Sequence, residues 1–254
     1  MSHSQPMIDS PFPEHAFTYL AAAEDRHWWF RSRNTLILWA LLTKARSFKK
    51  YLEIGCGTGY VLKAVASQFP GVHLCASEYY EAGLVHAKRR VPSCSFSAMD
   101  ATKMADHQVY DCIGCFDVIE HIEEDQQVLH NFFRALRPGG SVVLTVPQHP
   151  WLWSQADEFA HHQRRYTAAE LHRKLKLAGF RRSYSGSFVS LLLPVMVVQR
   201  FMARQRPYSP DQEFKISRAL NAFLLSIMRI ELLLIRLGVR FPVGGSLLIV
   251  AQKP

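Results

Sequence analysis

The chain has 254 residues, 48% of them hydrophobic, and a formal net charge of +9. That length suits one large α/β domain with elaborations, or two domains at most. The five cysteines, Cys56, Cys75, Cys94, Cys112 and Cys115, are an odd number without framework spacing, which excludes a disulfide scaffold and points to small core residues in a reducing compartment. Met1 to Glu14 has no basic stretch followed by an apolar one, so no signal peptide is expected. No uncharged apolar run reaches the ~18 residues of a membrane span.

Residues 1–13, with three prolines, read as irregular. Glu14 to Ala23 and Asp25 to Arg46 read as two helices, or one with a break. The second carries Trp28-Trp29-Phe30-Arg31-Ser32-Arg33, suited to packing on a domain or to covering a ligand. Tyr51 to Ile54 is an apolar run, followed by Gly55-Cys56-Gly57-Thr58-Gly59 and then a helix from Tyr60 to Ala66. Strand, glycine-rich turn and helix bring backbone close to a nucleotide-like ligand at the helix N-terminus. Val72 to Ser77 is the second strand. Glu78 stands at its end, where a carboxylate accepts hydrogen bonds from ribose hydroxyls in nucleotide-binding α/β folds. A helix from Tyr80 to Arg90 precedes a short third strand, Pro92 to Ala98, which runs into Met99-Asp100.

Tyr110 to Phe116 is a strongly apolar fourth strand, ending in Asp117-Val118-Ile119-Glu120-His121. Cys112 and Cys115 form a C-x-x-C within it, and three positions along a strand put two side chains on opposite faces, against a metal or redox pair. A helix from Glu123 to Leu136, a turn at Arg137 to Gly140 and a fifth strand from Ser141 to Val146 follow. Near-continuous apolar strands alternating with helices predict a parallel sheet covered on both faces, with functional residues beyond the carboxyl ends of the strands. Beyond it, a helix spans Ala169 to Ala178, and Phe180 to Ser187 and Ser246 to Gln252 read as the sixth and seventh strands.

Glu53 to Gly59, Glu78, Met99-Asp100, Phe116 to His121 and Leu136 to Gly140 together resemble the class I S-adenosylmethionine-dependent methyltransferases, of the type 11/23 kind. The likeness covers residues 48–147. It implies an α/β, Rossmann-like seven-stranded sheet whose last strand is antiparallel, with S-adenosylmethionine as cofactor. It further implies that Gly55, Cys56, Gly57 and Gly59 hold the methionine part, that Glu78 with Tyr79 holds the ribose, and that Met99 and Asp100 hold the adenine. Glu53 and Asp117 would complete that site, Glu53 by orienting the cofactor's amino group. A dinucleotide dehydrogenase is the competing reading of the loop, and the Asp-x-x-Glu-His after strand four argues against it. His27 to Arg33, Trp151 to Trp153, Asp157 and His162 to Thr167 are similar to a narrower subgroup associated with bacterial glycan and lipid biosynthesis. His161 stands where that subgroup implies a glycine. A weaker likeness runs to ubiquinone-pathway O-methyltransferases.

An oxygen acceptor must lose a proton, and a histidine suits that task. His121, His162 and Asp157 are the catalytic candidates, with Arg33, Trp29, Arg165 and Tyr166 on the acceptor. The alternative for this stretch is a solvated approach to a helix capped by Thr167. No metal is expected: Asp157, His161 and His162 have the composition for one, but adjacent histidines lack i, i+4 spacing. The absence of Asn/Asp-Pro-Pro-Tyr/Phe after strand four argues against DNA or adenine chemistry, so no nucleic-acid partner is expected.

Phe188 to Gly245 is far too long for a hairpin loop. It holds an apolar run containing Pro194, a Pro-rich turn and one long helix, Phe214 to Val239, with its basic residues on a narrow stripe. Between Arg181 and Arg240 there are ten basic residues against three acidic ones, so most of the positive excess lies here. The organisation expected is a helical lid over residues 1–47 and a methyltransferase domain over 48–254 with the apolar insertion at 188–245. Peripheral membrane contact through 188–240, a homodimer and packing within the chain all answer so wide an apolar face. The functional expectation is a cytoplasmic enzyme, peripheral on the inner face of the membrane. It would methylate a hydroxyl of a glycan, lipid-linked or quinone-like small molecule. N-methylation of an amino sugar and a non-catalytic cofactor-binding scaffold are the alternatives.

Overall fold

The computed structural model describes residues 14–203 and 216–254. Seven strands form one sheet: β1 (Lys50–Ile54), β2 (His73–Glu78), β3 (Ser95–Ala98), β4 (Tyr110–Phe116), β5 (Leu136–Pro147), β6 (Arg181–Phe188) and β7 (Ser246–Gln252). Their order is β3-β2-β1-β4-β5-β7-β6. The first five pair in parallel, and β7 runs antiparallel to both β5 and β6, so the expected Rossmann-like sheet is present. The chain leaves β1 toward β2 and β3, then returns to lay β4 on its other side. That reversal opens a crevice at the carboxyl ends of β1 and β4, where a ligand settles in such sheets.

The helices are α1 (Glu14–Ala23), α2 (Trp28–Thr43), α3 (Tyr60–Gln68), α4 (Glu81–Arg90), α5 (Asp125–Ala135), α6 (Gln155–Phe159), α7 (Ala168–Leu177), α8 (Leu193–Ala203) and α9 (Arg218–Arg236). Two cores lie on the two faces of the sheet. Leu36, Ile37, Tyr51, Leu62 and Met228 fill one; Leu52, Ile113, Phe132, Leu144 and Leu171 fill the other. Each such Leu or Ile contributes about 1.5–3 kcal/mol through burial. Cys112 falls in the first core and Cys115 in the second, both as free thiols. The strand geometry separates them, as the spacing predicts.

Several boundaries differ from expectation. β5 begins at Leu136 rather than Ser141, because Leu136 already pairs with Tyr110 and the Arg137–Gly140 turn is absorbed as a register shift, with Gly139 at φ +78°. β3 starts at Ser95, since Pro92 has no N–H to give an edge ladder. α2 stops at Thr43, where the N–H groups of Lys44 and Ala45 both donate to the Ala40 carbonyl. α6 is unforeseen; it is five residues long and held by a capping box between Ser154 and Asp157. Thr167 caps α7 as expected, accepting from the Glu170 N–H.

The insertion folds as α8 and α9. Pro194 lies in the first turn of α8, where a missing N–H costs nothing. α9 starts at Arg218 behind the Ser217 cap; Arg204, Arg206, Lys215, Phe214 and the Pro-rich turn lie outside the described residues. One side of α9, including Leu225, Met228, Leu232 and Ile235, is buried. Glu231, the one acidic residue on that side, is buried too, and one of its oxygens accepts the Ser190 and Leu191 N–H groups at 2.8 Å. Asn221 donates to the Arg26 carbonyl and accepts from the Trp28 N–H, so α9 also caps α2. The opposite side of α9, with Phe223, Ile230, Leu233 and Leu237, stays exposed. Among the described residues no helix is long and apolar enough to cross a membrane.

Candidate active site

The loop between β1 and α3 turns through three glycines of positive φ: +65° at Gly55, +52° at Gly57 and +77° at Gly59. A Cβ at Gly55 would run into the Val118 side chain, and one at Gly59 would lie 2.8 Å from Ala87 Cα. At Gly57 a Cβ would meet nothing within 4 Å. The outer glycines thus serve the protein's own packing, and the middle one faces open space. That open cradle, at the N-terminus of α3, fits the methionine end of S-adenosylmethionine. Cys56 is buried, and its thiol is pushed far up by burial, so it packs rather than reacts.

Glu78 sits against this loop. Its carboxylate accepts the Gly57 N–H at 2.8 Å on one oxygen and the Tyr79 and Tyr80 N–H groups at 2.8 and 3.2 Å on the other. Burial still raises its pKa. The Tyr79 ring is half exposed. Met99 follows β3 with its N–H on the Glu78 carbonyl. Asp100 is held by the Thr102 N–H and hydroxyl and by Lys103; these donors outweigh desolvation and lower its pKa. Glu53 lies beneath, wholly enclosed, with the Tyr51 hydroxyl donating to it at 3.0 Å. Burial lifts it to about 8, against the pull of Tyr51 and Arg33.

Sequence reasoning missed a clamp on the same loop. Glu24, at the end of α1, accepts the Thr58 hydroxyl and pairs with Arg90 at 2.6 Å. Arg90 also donates to Thr58 Oγ1 and the Ala21 carbonyl. The N-terminal helix is therefore locked to the glycine loop and α4. Glu24 stands at the break between the first two helices beside Asp25 and Arg26, where a charge reads as solvated.

Beyond β4 the backbone of Asp117 is left-handed, at φ +55°, and its carboxylate pairs with Arg33 Nε at 2.5 Å. Arg33 also donates to the Phe116 carbonyl at 2.7 Å and stacks 5.1 Å from the Trp29 ring centroid. Arg33, expected on the acceptor, therefore spends its guanidinium on the β4 turn. Trp29, half buried, packs edge-on against Phe30 and under the Arg33 guanidinium.

The loop after β5 lies over this turn, with the Gln163 N–H on the Glu120 carbonyl at 2.7 Å. It brings His162 to His121, ring centroids 4.6 Å apart and edge to face. His162 Nδ1 hydrogen-bonds Asp157 at 2.9 Å. Burial, reinforced by the neighbouring His162, lowers His121 to about 3, so it is neutral and a weak base. Asp157 would be raised by burial, but the bond from His162 and the charge of Arg165 hold it at about 2. It is an ionised carboxylate that orients His162 and Arg165. Two further expectations need correction. Arg165 is buried, donating to Asp157 and the Gln148 carbonyl, and Tyr166 is fully buried with its hydroxyl on Asp125 at 2.7 Å. Both spend their polar groups on the protein itself, beneath the loop. His161, at the position where a glycine is implied, has φ +54°, the left-handed conformation that glycine takes without strain. Glu120 is completely buried, with neither carboxylate oxygen hydrogen-bonded.

Residues 23–182 match the family model described as a methyltransferase domain. A probable S-adenosylmethionine-dependent methyltransferase of Mycolicibacterium smegmatis is 30% identical over 165 residues, 61% of this chain and 60% of that one. A malonyl-[acyl-carrier protein] O-methyltransferase of Haemophilus ducreyi is 31% identical over 104 residues, 39% of this chain and 40% of that one. The chain thus spans roughly half the length of these relatives. Among solved structures, phosphoethanolamine N-methyltransferase 2 of Haemonchus contortus, in complex with phosphomonomethylethanolamine and S-adenosylhomocysteine, superposes with a TM-score of 0.64 at 18% identity, over 97% of this chain and 59% of that one. With the open Gly57 cradle, the carboxylates at the strand ends and the family match over most of its length, the chain belongs to the S-adenosylmethionine-dependent methyltransferase domain family.

Proposed function

We propose that the protein transfers a methyl group from S-adenosylmethionine to an oxygen of a small molecule, a hydroxyl of a glycan, lipid-linked or quinone-like acceptor. Bound in the cradle, the cofactor supplies an electrophilic methyl on a sulfonium. The chain's own residues do the rest. The glycine loop and Glu78 fix the donor, the Glu24 clamp and α1 close the loop side, and Arg33 holds the Asp117 turn. The transfer needs alignment and a dry site more than strong acid–base chemistry. The observation that carries the oxygen reading is the His121–His162 pair, oriented by Asp157 on a buried floor beside the β4 turn. An amine acceptor needs only to be neutral, and this much polar construction would be superfluous for it. The O-methyltransferase among the relatives supports the same reading.

The exposed side of α9, with arginines along its edge, supports work at an anionic membrane surface, where a lipid-linked acceptor would be met. The test is to incubate the protein with methyl-labelled S-adenosylmethionine and a lipid and glycan extract. A component gaining the mass of one CH2, with label on oxygen, is expected. Label on nitrogen would favour the amino-sugar reading. Binding of S-adenosylhomocysteine without turnover on any extract would favour the scaffold, and no calorimetric binding at all would sink the donor assignment.

A further inference from the structure

Among the described residues, Glu120 is the one carboxyl with both oxygens buried and without a hydrogen bond. It is 0% exposed, neither of its oxygens has a hydrogen-bond partner, and Asp117 nearby is also negative. Burial and the neighbouring Asp117 push its carboxyl well above the usual range, and it can ionise there only beside a further positive charge, because burying an unpaired charge is among the most costly arrangements a fold can hold. Arg33 and Arg165 both pull on it through charge, but each is paired directly with another carboxylate, Asp117 and Asp157. What Glu120 does have close by is His121 and His162: one ligand atom from each of the three residues lies within 4.8 Å of the others.

We propose that Glu120, His121 and His162 form a binding site for a divalent first-row transition metal ion beside the β4 turn. Four observations carry it. The donor set, two imidazoles and one carboxylate, is one that such ions favour, and three protein ligands leave positions open for an exogenous oxygen. Three atoms within 4.8 Å of one another lie at most about 2.8 Å from a common centre, so the present spacing closes to ~2.1 Å bonds around an ion with shifts of up to about 0.7 Å each. Each histidine is already oriented through a second partner: His162 Nδ1 by the Asp157 carboxylate at 2.9 Å, and His121 by a bond to the Ala160 carbonyl. That pattern, one ring nitrogen tied to a carboxylate or carbonyl, is how metal-bound histidines are held. Finally, the ion gives a bonding partner to a buried carboxyl whose two oxygens have no hydrogen bond. The sequence argued against a metal because it weighed Asp157, His161 and His162; Asp157 is instead the outer partner, and the histidine that joins His162 comes from the β4 turn.

The inference rests on the oxygen-acceptor reading for its role. An acceptor hydroxyl on an open position of the ion loses its proton to water, its oxygen lone pair forms the new O–CH3 bond, and the C–S bond breaks with its electrons going to sulfur. The sulfonium charge lost equals the proton released. The ion thereby does what His121, a weak base, cannot.

The test uses full-length, tag-free protein, stripped with chelator and titrated with Co2+ under equilibrium dialysis and visible absorption. One Co2+ per chain with d–d bands, displaced by Zn2+, is expected. Glu120→Gln and His162→Asn should each weaken Co2+ binding at least tenfold. In chelator, Glu120→Gln should melt no lower than the wild type, since neither carboxyl oxygen has a hydrogen bond to lose. Wild type that takes up no Co2+, or variants that bind it as well as wild type, overturn the site. S-adenosylhomocysteine calorimetry on the same samples keeps the two readings apart. Its failure sinks the donor assignment and leaves the cobalt stoichiometry standing; retained binding in the variants shows that they are folded.

Discussion

The three glycines of the β1–α3 loop look alike in sequence and differ in what surrounds them. Gly55 is pinned against Val118 and Gly59 against Ala87, whereas Gly57 opens to the cradle. Gly57→Arg should therefore fold, with a loss of about 1 kcal/mol for its left-handed φ, and abolish calorimetric binding of S-adenosylhomocysteine. Gly55→Ala should instead lower the melting temperature, because Val118 must move. Equal thermal losses in the two variants would show that the open space is not a binding space. Glu53 carries a second prediction. Its pKa is raised to about 8 in the fold, so the folded state keeps a proton that the unfolded chain releases near 4.5. That stabilisation is complete below the unfolded value and is lost as pH rises through the folded one. Urea unfolding should show the wild type losing on the order of 2–4 kcal/mol between pH 5 and 8.5 relative to Glu53→Gln. Parallel curves for the two proteins would exclude a protonated Glu53.

Between elements, the most consequential contacts join distant parts of the chain. Glu24 ties α1 to Thr58 and Arg90, and its removal strands a guanidinium that is 15% exposed. Glu24→Ala should weaken S-adenosylhomocysteine binding by about tenfold and raise hydrogen exchange across Glu14–Ala23, since the ion pair that ties the end of α1 to Arg90 and the glycine loop is then lost. Unchanged exchange in α1 would show that the clamp is decorative. The strands and the cofactor loop were legible because each is local: apolar runs of strand length, glycines at fixed offsets and acids at strand ends. Tyr166 was misplaced because a tyrosine in a polar loop reads as a ligand contact, whereas its hydroxyl is consumed by Asp125, 41 positions away. Glu120 stood in plain view in the Asp-x-x-Glu-His run, but its lack of partners can be seen only once every neighbour is placed. The same holds for Asn221, whose cap on α2 spans 193 positions.

On the scale of the whole molecule, the net charge of +9 and the insertion act together. α9 hides one side against the domain and leaves Phe223, Ile230, Leu233 and Leu237 between 55% and 74% exposed, next to Arg218, Arg229 and Arg236. Val195 and Val198 of α8 are 59% exposed as well. An apolar stripe edged by arginines suits an interface of acyl chains and anionic headgroups. There each arginine contributes about 1 kcal/mol at low salt, and a buried Phe or Leu contributes about 1.5–3 kcal/mol. The protein should therefore float with vesicles rich in phosphatidylglycerol and not with pure phosphatidylcholine. Release should come with added salt, as screening shortens to ~3 Å at 1 M. Arg229→Glu should weaken flotation severalfold, and Phe223→Asp with Leu237→Asp should abolish it at unchanged melting temperature, since both side chains already face water. A second copy of the chain is the competing occupant of the same stripe. If the wild type stays out of the floating fraction and sediments as a dimer that Phe223→Asp with Leu237→Asp splits, the stripe is a subunit interface, and the acceptor must come to the enzyme through water.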